Sequence, residues 1–211
     1  MDVSNAVLDF FNTGKLLQEL NHTLIVLVPK VPTPSFITDY RPISCCNVLF
    51  KCISKIVTDR MKGALDSIVS INQSAFVPGR KISDNILLTQ ELMHNYHRSF
   101  GPPRCAFKVD IQKAYDTVEW SFLKNVLVGF GFAEWMVDWI MLCVSSTSYS
   151  VCVNGNTHGY FKEERGLRKG DPMSPYLFTL VMEILTYDWF LFSRGDVASA
   201  RCIYGFPLKI F

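Results

Sequence analysis

Net charge is nearly missing from this sequence: 21 Lys and Arg stand against 19 Asp and Glu, a formal +2 over 211 residues. That balance excludes the strongly basic class that coats polyanions through bulk charge and leaves only a local concentration of Lys and Arg along one groove. Paired cysteine spacing is missing too. The seven cysteines (Cys45, Cys46, Cys52, Cys105, Cys143, Cys152, Cys202) are odd in number and form no Cys-x-x-Cys. Most lie among apolar neighbours, which speaks against a disulfide scaffold or a zinc site and for reduced small hydrophobes. The N-terminus lacks the basic start and apolar core of a signal peptide. The longest apolar stretch, Tyr176 to Phe192, is broken by Glu183 and Asp188 and falls short of the ~20 residues that span a bilayer. Repeats and low-complexity tracts are absent as well. The expectation is a soluble intracellular protein, in nucleus or cytoplasm, with no membrane partner.

What the sequence does have is apolar mass. Hydrophobic residues make up 49% and charged ones 19%, enough for a sizeable core in one large domain or in part of a larger protein. Apolar positions between residues 3 and 20 (Val3, Val7, Phe10, Phe11, Leu17, Leu20) predict a short helix. Thr23 to Val28 is a β-rich run ended by Pro29, hence a strand. Prolines at 29, 32, 34 and 42 predict a loop that joins neither a helix nor a central strand. Val48, Leu49, Cys52, Ile53, Ile56, Val57, Met61, Ala64, Leu65 and Ile68 then repeat at three and four, with Lys51, Lys55, Asp59, Lys62 and Asp66 on the other face, the pattern of a long amphipathic helix.

Phe76 to Arg80 reads as a strand running into a turn, and Ser83 or Asp84 as the cap of a helix reaching about Tyr96. After the break at Gly101-Pro-Pro103, Cys105, Phe107, Val109 and Ile111 alternate with Lys108 and Asp110, the period of a strand. Two helices follow, one through Trp120, Leu123, Leu127 and Phe130, the other through Met136, Trp139, Ile140 and Cys143, parted by Gly129 and Gly131. Tyr149 to Val153, a turn at Asn154-Gly155 and a strand to about Glu163 predict a hairpin. Pro172 and Pro175 suit the opening of a last helix, Ser174 to Phe192. Helices and strands are mixed around that hairpin, which reads as an α+β fold.

Several residues bear chemistry. Asp110, ending a strand, fits either a metal ligand beside a bound triphosphate or an edge-strand charge. Asp116, six residues on, fits a cap for the helix entered near Trp120. Lys30 and Arg41 fit solvated charges in a Pro-rich loop, Gly79 and Arg80 fit turn residues, and Tyr115 fits a packing position at a helix start. His94 and His97 have helical spacing but no third ligand and read as surface residues.

The ordered set of segments is more specific than any of its members. Phe107-Lys-Val-Asp-Ile-Gln-Lys-Ala-Tyr-Asp-Thr-Val-Glu-Trp120 resembles the first catalytic motif of LINE-type (non-LTR) retrotransposon reverse transcriptases, especially those abundant in plants. Leu24-Ile-Val-Leu-Val-Pro-Lys30 and Asp39-Tyr-Arg-Pro-Ile-Ser44 look like the family's fingers entry. Asn72 to Arg80 looks like its template-side segment, and Glu164 to Phe178 like the loop and helix behind the primer-template. The resemblance runs from about Leu20 to Thr186. It implies a partial right-hand polymerase: an N-terminal helical flank at 1–20, a fingers-like region at 21–103, a partial palm at 104–192 and an unassigned tail at 193–211.

The resemblance also implies roles. Asp110 would ligate two Mg2+ ions, helped by the Ile111 carbonyl. Tyr115 would lie beneath the sugar of the incoming dNTP and disfavour a 2′-hydroxyl. Lys30 and Arg41 would cover the triphosphate, and Gly170, with Pro172 and Pro175 behind it, would let the backbone approach the nascent base pair. Gly79 and Arg80 would meet the RNA template that pairs with a DNA primer. Two departures qualify this. Lys169 stands where the family usually has Gln, exchanging a donor-acceptor for a charged donor in the nucleotide-binding set. No Ala-Asp-Asp follows within the 211 residues; the only acids after Gly170 are Asp171, Glu183, Asp188 and Asp196. The expectation is therefore a C-terminally truncated reverse transcriptase domain, catalytically incomplete. The alternatives are a group II intron maturase-like segment or a non-catalytic binder of RNA or RNA–DNA hybrid using Lys30, Arg41, Arg80, Arg165 and Arg168.

Overall fold

The computed structural model describes residues 2–94 and 110–193, and its elements follow the hydrophobic pattern closely where that pattern is strong. Helix α1 (Val3–Thr13) buries Val7 and Phe10 and stops at Gly14, whose left-handed backbone lets its N–H donate to the Phe10 carbonyl at 2.8 Å. The apolar positions beyond it, Leu17 and Leu20, therefore fall in the connection to the sheet rather than in a helix reaching residue 20.

A four-stranded sheet has the order β2-β1-β3-β4, with β1 (His22–Pro29), β2 (Tyr40–Cys46), β3 (Ser148–Val153) and β4 (Asn156–Lys162). Central β1 pairs antiparallel with β2 and parallel with β3. Strands from the two ends of the chain are thus joined directly, His22 lying opposite Ser148. β3 and β4 form the expected hairpin, turning at Asn154 and Gly155, both with positive φ. Strand β2 corrects the loop expectation. Pro42 lies inside it, opposite Leu27, and is tolerated because β2 is an edge strand whose other side needs no N–H donor.

Helix α2 (Val48–Ile68) is the spine of the core. Asn47 caps it by accepting from the Leu49 N–H at 2.8 Å. Its Phe50, Ile53, Val57, Met61 and Leu65 are essentially fully buried against Leu123 and Leu127 of α4 (Trp120–Gly129), Ile140 of α5 (Glu134–Ser145), and Leu177 and Leu180 of α6 (Ser174–Ser193). Helix α3 (Ile82–Met93) starts after Lys81, so Ser83 and Asp84 sit in its first turn and do not cap it. The expected strand at 76–80 is a series of turns, with φ +60° at Phe76 and +79° at Gly79. No strand among the described residues pairs with it; Arg80 instead ties the segment to the end of α2. Of the strand expected over 105–111, Asp110 and Ile111 are in no strand; its residues 105–109, the helix end at Tyr96, His97 and the 194–211 tail lie outside the described residues.

Candidate functional site

Two segments distant in sequence meet at one place. Residues 110–113 lead into a short 3-10 turn, Ala114–Thr117, and the loop 164–173 lies directly on it. The Leu167 N–H donates to the Tyr115 carbonyl and the Gly166 N–H to the Val118 carbonyl, both at 2.8 Å; the Trp120 indole donates to the Gly166 carbonyl at 2.9 Å. Gly166 has φ +103°, and a Cβ there would lie 3.2 Å from the Asp116 Cα and 3.3 Å from the Tyr115 carbonyl oxygen. Only glycine fits so close a backbone approach. Gly170 plays the same part against the sheet, where a Cβ would lie 3.1 Å from the Ser44 carbonyl oxygen of β2.

Side chains lock the junction. The Tyr115 ring stacks on Phe178 of α6, with centroids 4.8 Å apart, and burial pushes its phenol pKa up. Lys169 Nζ reaches Asp116 at 3.1 Å, so Asp116 pairs with the loop instead of capping α4, whose capping position is Glu119. Arg165 pairs with Glu119 at 3.1 Å on the exposed side. Beneath the loop, Arg168 is only 5% exposed; it donates to Asn21 and, at 2.6 Å, to Thr147, and its guanidinium lies 4.4 Å from the Phe50 ring centroid. Asp171 is buried too, accepting from the Ser54 hydroxyl and, at 3.0 Å, from the Met173 N–H; burial raises its pKa above the usual carboxylate range.

Beside this junction is a small cavity of about 130 Å3, walled by Pro42 and Ser44 of β2, Tyr149 of β3, and Glu163, Arg168, Lys169 and Asp116. The Tyr149 hydroxyl donates to Glu163 at 2.8 Å. Burial raises the pKa of both groups, and each is opposed by the nearby Arg168 charge.

The residues singled out in the sequence are thus distributed unevenly. Tyr115, Lys169 and Gly170 come together, with Asp110 and Ile111 leading into the same turn and the Asp110 side chain exposed. Lys30 is at the end of β1, its ammonium donating to the Thr38 carbonyl at 2.7 Å. Arg41 is exposed and lies opposite Val28; strand alternation puts it on the other face of β2 from Pro42 and Ser44. Arg80 is turned inward: it donates to the Ser70, Gln73 and Val69 carbonyls and pairs with Asp66 at 3.0 Å. Gly79, beside it, has open space around its Cα. Sequence reasoning passed over Asn21, Ser54, Thr147, Tyr149 and Glu163. Ser54, a polar position on the otherwise apolar face of α2, was the available signal for the buried Asp171; Thr58 on the same face donates to the Ser54 carbonyl of its own helix.

Comparison with known proteins decides the family. The reverse transcriptase (RNA-dependent DNA polymerase) family matches residues 28–192. The chain belongs to the reverse transcriptase family. This reverse transcriptase domain is 28% identical over 182 residues to the Xenopus laevis transposon TX1 uncharacterized 149 kDa protein, covering 86% of the chain and 14% of that protein. It is 27% identical over 172 residues to the Pol polyprotein of the type-2 retrotransposable element R2DM of Drosophila melanogaster, covering 82% of the chain and 16% of the relative. The chain therefore spans about a seventh of the length of these relatives, and it is a reverse transcriptase domain of the non-LTR retrotransposon kind. Among solved structures, apo telomerase from Candida tropicalis truncated from the C-terminal domain aligns with a TM-score of 0.53 at 14% identity, over 92% of this chain and 46% of that one. That likeness establishes a mixed α+β fold of the polymerase fingers-and-palm kind. Reverse transcriptases as a family use divalent metal ions and work on a nucleic acid template and primer; among the described residues here, no group of three His, Cys, Asp or Glu could hold a metal. No helix among them is long and apolar enough to cross a membrane.

Proposed function

We propose that these residues form the nucleotide- and template-handling part of an RNA-directed DNA polymerase encoded by a non-LTR retrotransposon. The observation that carries this is the junction itself: the 110–118 turn and the 164–170 loop, the two segments with the strongest family resemblance, are hydrogen-bonded backbone to backbone. In this reading Asp110, with the Ile111 carbonyl, is the first ligand of Mg2+, and Tyr115 underlies the sugar of the dNTP. Lys169 and Gly170 border the nucleotide, Lys30 and Arg41 approach its triphosphate, and the Gly79–Arg80 turn meets the template, where Gly79 offers backbone because the Arg80 guanidinium is engaged within the fold.

One carboxylate does not fit two-metal phosphoryl transfer, which typically draws on more than one. Asp116, the nearest other acid in the turn, is held by Lys169. We therefore derive no chemical step through the metals and expect these 211 residues, assayed alone, to bind template-primer and dNTP without extending the primer. The test is titration of a fluorescent dNTP into the chain loaded with an RNA template and DNA primer in Mg2+. Saturable binding, weakened about tenfold or more by Asp110→Ala, is expected, since the charge-assisted contact at stake is worth about 1.5 kcal/mol or more. Absence of binding, or indifference to Asp110, overturns the reading; primer extension that Asp110→Ala abolishes overturns the expectation of incomplete chemistry. A purely RNA-coating surface is the weaker reading, because two of its five cations, Arg80 and Arg168, are turned into the protein.

A further inference from the structure

Lys169 of the 164–173 loop has a half-exposed ammonium on a backbone whose two neighbours are anchored. Its neighbour Arg168 is buried, and Gly170 is pressed to 3.1 Å, at the position of a notional Cβ, against the Ser44 carbonyl oxygen. The loop backbone on both sides is therefore fixed, and only the four-carbon stem and its tip are free to move. The tip rests on Asp116, 3.1 Å from one carboxylate oxygen and 3.2 Å from the other, with the two side chains 46% and 43% exposed. An ion pair at that exposure is screened by solvent and contributes at most about 1 kcal/mol, so an incoming polyanion of higher charge displaces the carboxylate easily.

We propose that Asp116 is a positioning residue that parks Lys169 in the ligand-free protein, and that a triphosphate takes the ammonium over from it when a nucleotide binds. The proposal rests on the nucleotide-site reading given above and adds to it a partner exchange within the site. Asp116 then acts through Lys169 alone: it holds the ammonium at the wall of the cavity that Ser44, Tyr149 and Glu163 also line. The cost is that every triphosphate must break the pair, so Asp116 lowers affinity for phosphate while keeping the empty site neutral.

The experiment measures binding of inorganic tripolyphosphate and of dATP to the chain and to Asp116→Asn, Lys169→Gln and the double variant at low salt. Asp116→Asn is expected to tighten tripolyphosphate binding about three- to fivefold, the equivalent of releasing a surface ion pair. Lys169→Gln is expected to weaken it by a similar factor. In the Lys169→Gln background, Asp116→Asn is expected to change nothing beyond error, a result that neither a structural role nor simple removal of a negative charge produces. An unchanged or weakened Asp116→Asn, or an Asp116 effect that persists without Lys169, overturns the exchange while leaving the nucleotide site in place. If the unaltered chain binds neither ligand, the nucleotide-site reading falls and the exchange with it. Thermal melts of all four proteins identify any variant that has lost its fold.

Discussion

Loop 164–173 carries four charged side chains between Arg165 and Asp171, and the fold buries two of them, Arg168 and Asp171. Helix α3 carries Ile82, Ile86, Leu87, Leu88, Leu92 and Met93, and all six are exposed. Hydrophobic scale alone predicts the opposite. The difference lies in partners. The loop meets Asn21, Thr147, Ser54 and the Phe50 ring, each supplying a donor, an acceptor or a π face for a charge that would otherwise be intolerable in the interior. In α3 only Asn85 is partly covered, and that residue makes polar contacts, donating to the Asn72 carbonyl at 2.7 Å and to the Ser74 hydroxyl at 3.0 Å. Polar anchoring places α3, and in the loop it holds the buried charges beside the two apolar side chains, Leu167 and Met173, that enter the core.

The largest expected effect follows from the buried guanidinium. Replacing Arg168 by Met removes its bonds to Asn21 and Thr147 and leaves their oxygens without that donor, so the chain should lose about 3 kcal/mol in a urea titration. Arg165→Met, three residues earlier and 57% exposed in its pair with Glu119, should stay within about 0.5 kcal/mol. Equal losses at the two arginines would erase the contrast within the loop. Next in size is Gly166→Ala. The φ of +103° and the 3.2 Å approach to the Asp116 Cα require the loop to lift from the 114–117 turn, at a cost of about 2 kcal/mol. A stability within error of the unaltered chain would show that the two segments are not pressed together.

These contrasts also explain what could be read in the chain beforehand. The α2 helix and the Asn154-Gly155 hairpin were legible because each is specified locally, by a 3.6-residue period and by two positions that accept positive φ. The meeting of the 110–118 and 164–173 segments was legible only through their resemblance to the reverse transcriptase motifs; no spacing within either segment demands it. Strand β2 was hidden by Pro42, whose missing donor matters in a central strand and not at an edge, and edge position is a property of the whole sheet. The segment 76–80 failed for the converse reason: its residues suit a strand, but no strand among the described residues lies alongside it. The inward turn of Arg80 and the burial of Arg168 were illegible because their acceptors come from α2's end, from Asn21 and from Thr147, which only the tertiary fold brings near.

The smallest effect is expected where sequence hydrophobicity promises the largest. Leu87→Lys combined with Leu92→Lys would ruin an ordinary core helix, but these side chains are 62% and 67% exposed, and the double variant should stay within about 0.5 kcal/mol of the parent. Asn85→Ala in the same helix should cost more, about 1 kcal/mol, because it removes the two bonds that fasten α3 to the Asn72–Ser74 turn. Hydrogen exchange read separately over α3 and α2 sharpens the test: Asn85→Ala should raise exchange in α3 while α2, buried along its length, keeps its protection. If the two lysines destabilise the chain more than the loss of Asn85 does, the leucines are making contacts in the isolated chain, and the comparison between the anchored loop and the uncovered helix must be redrawn.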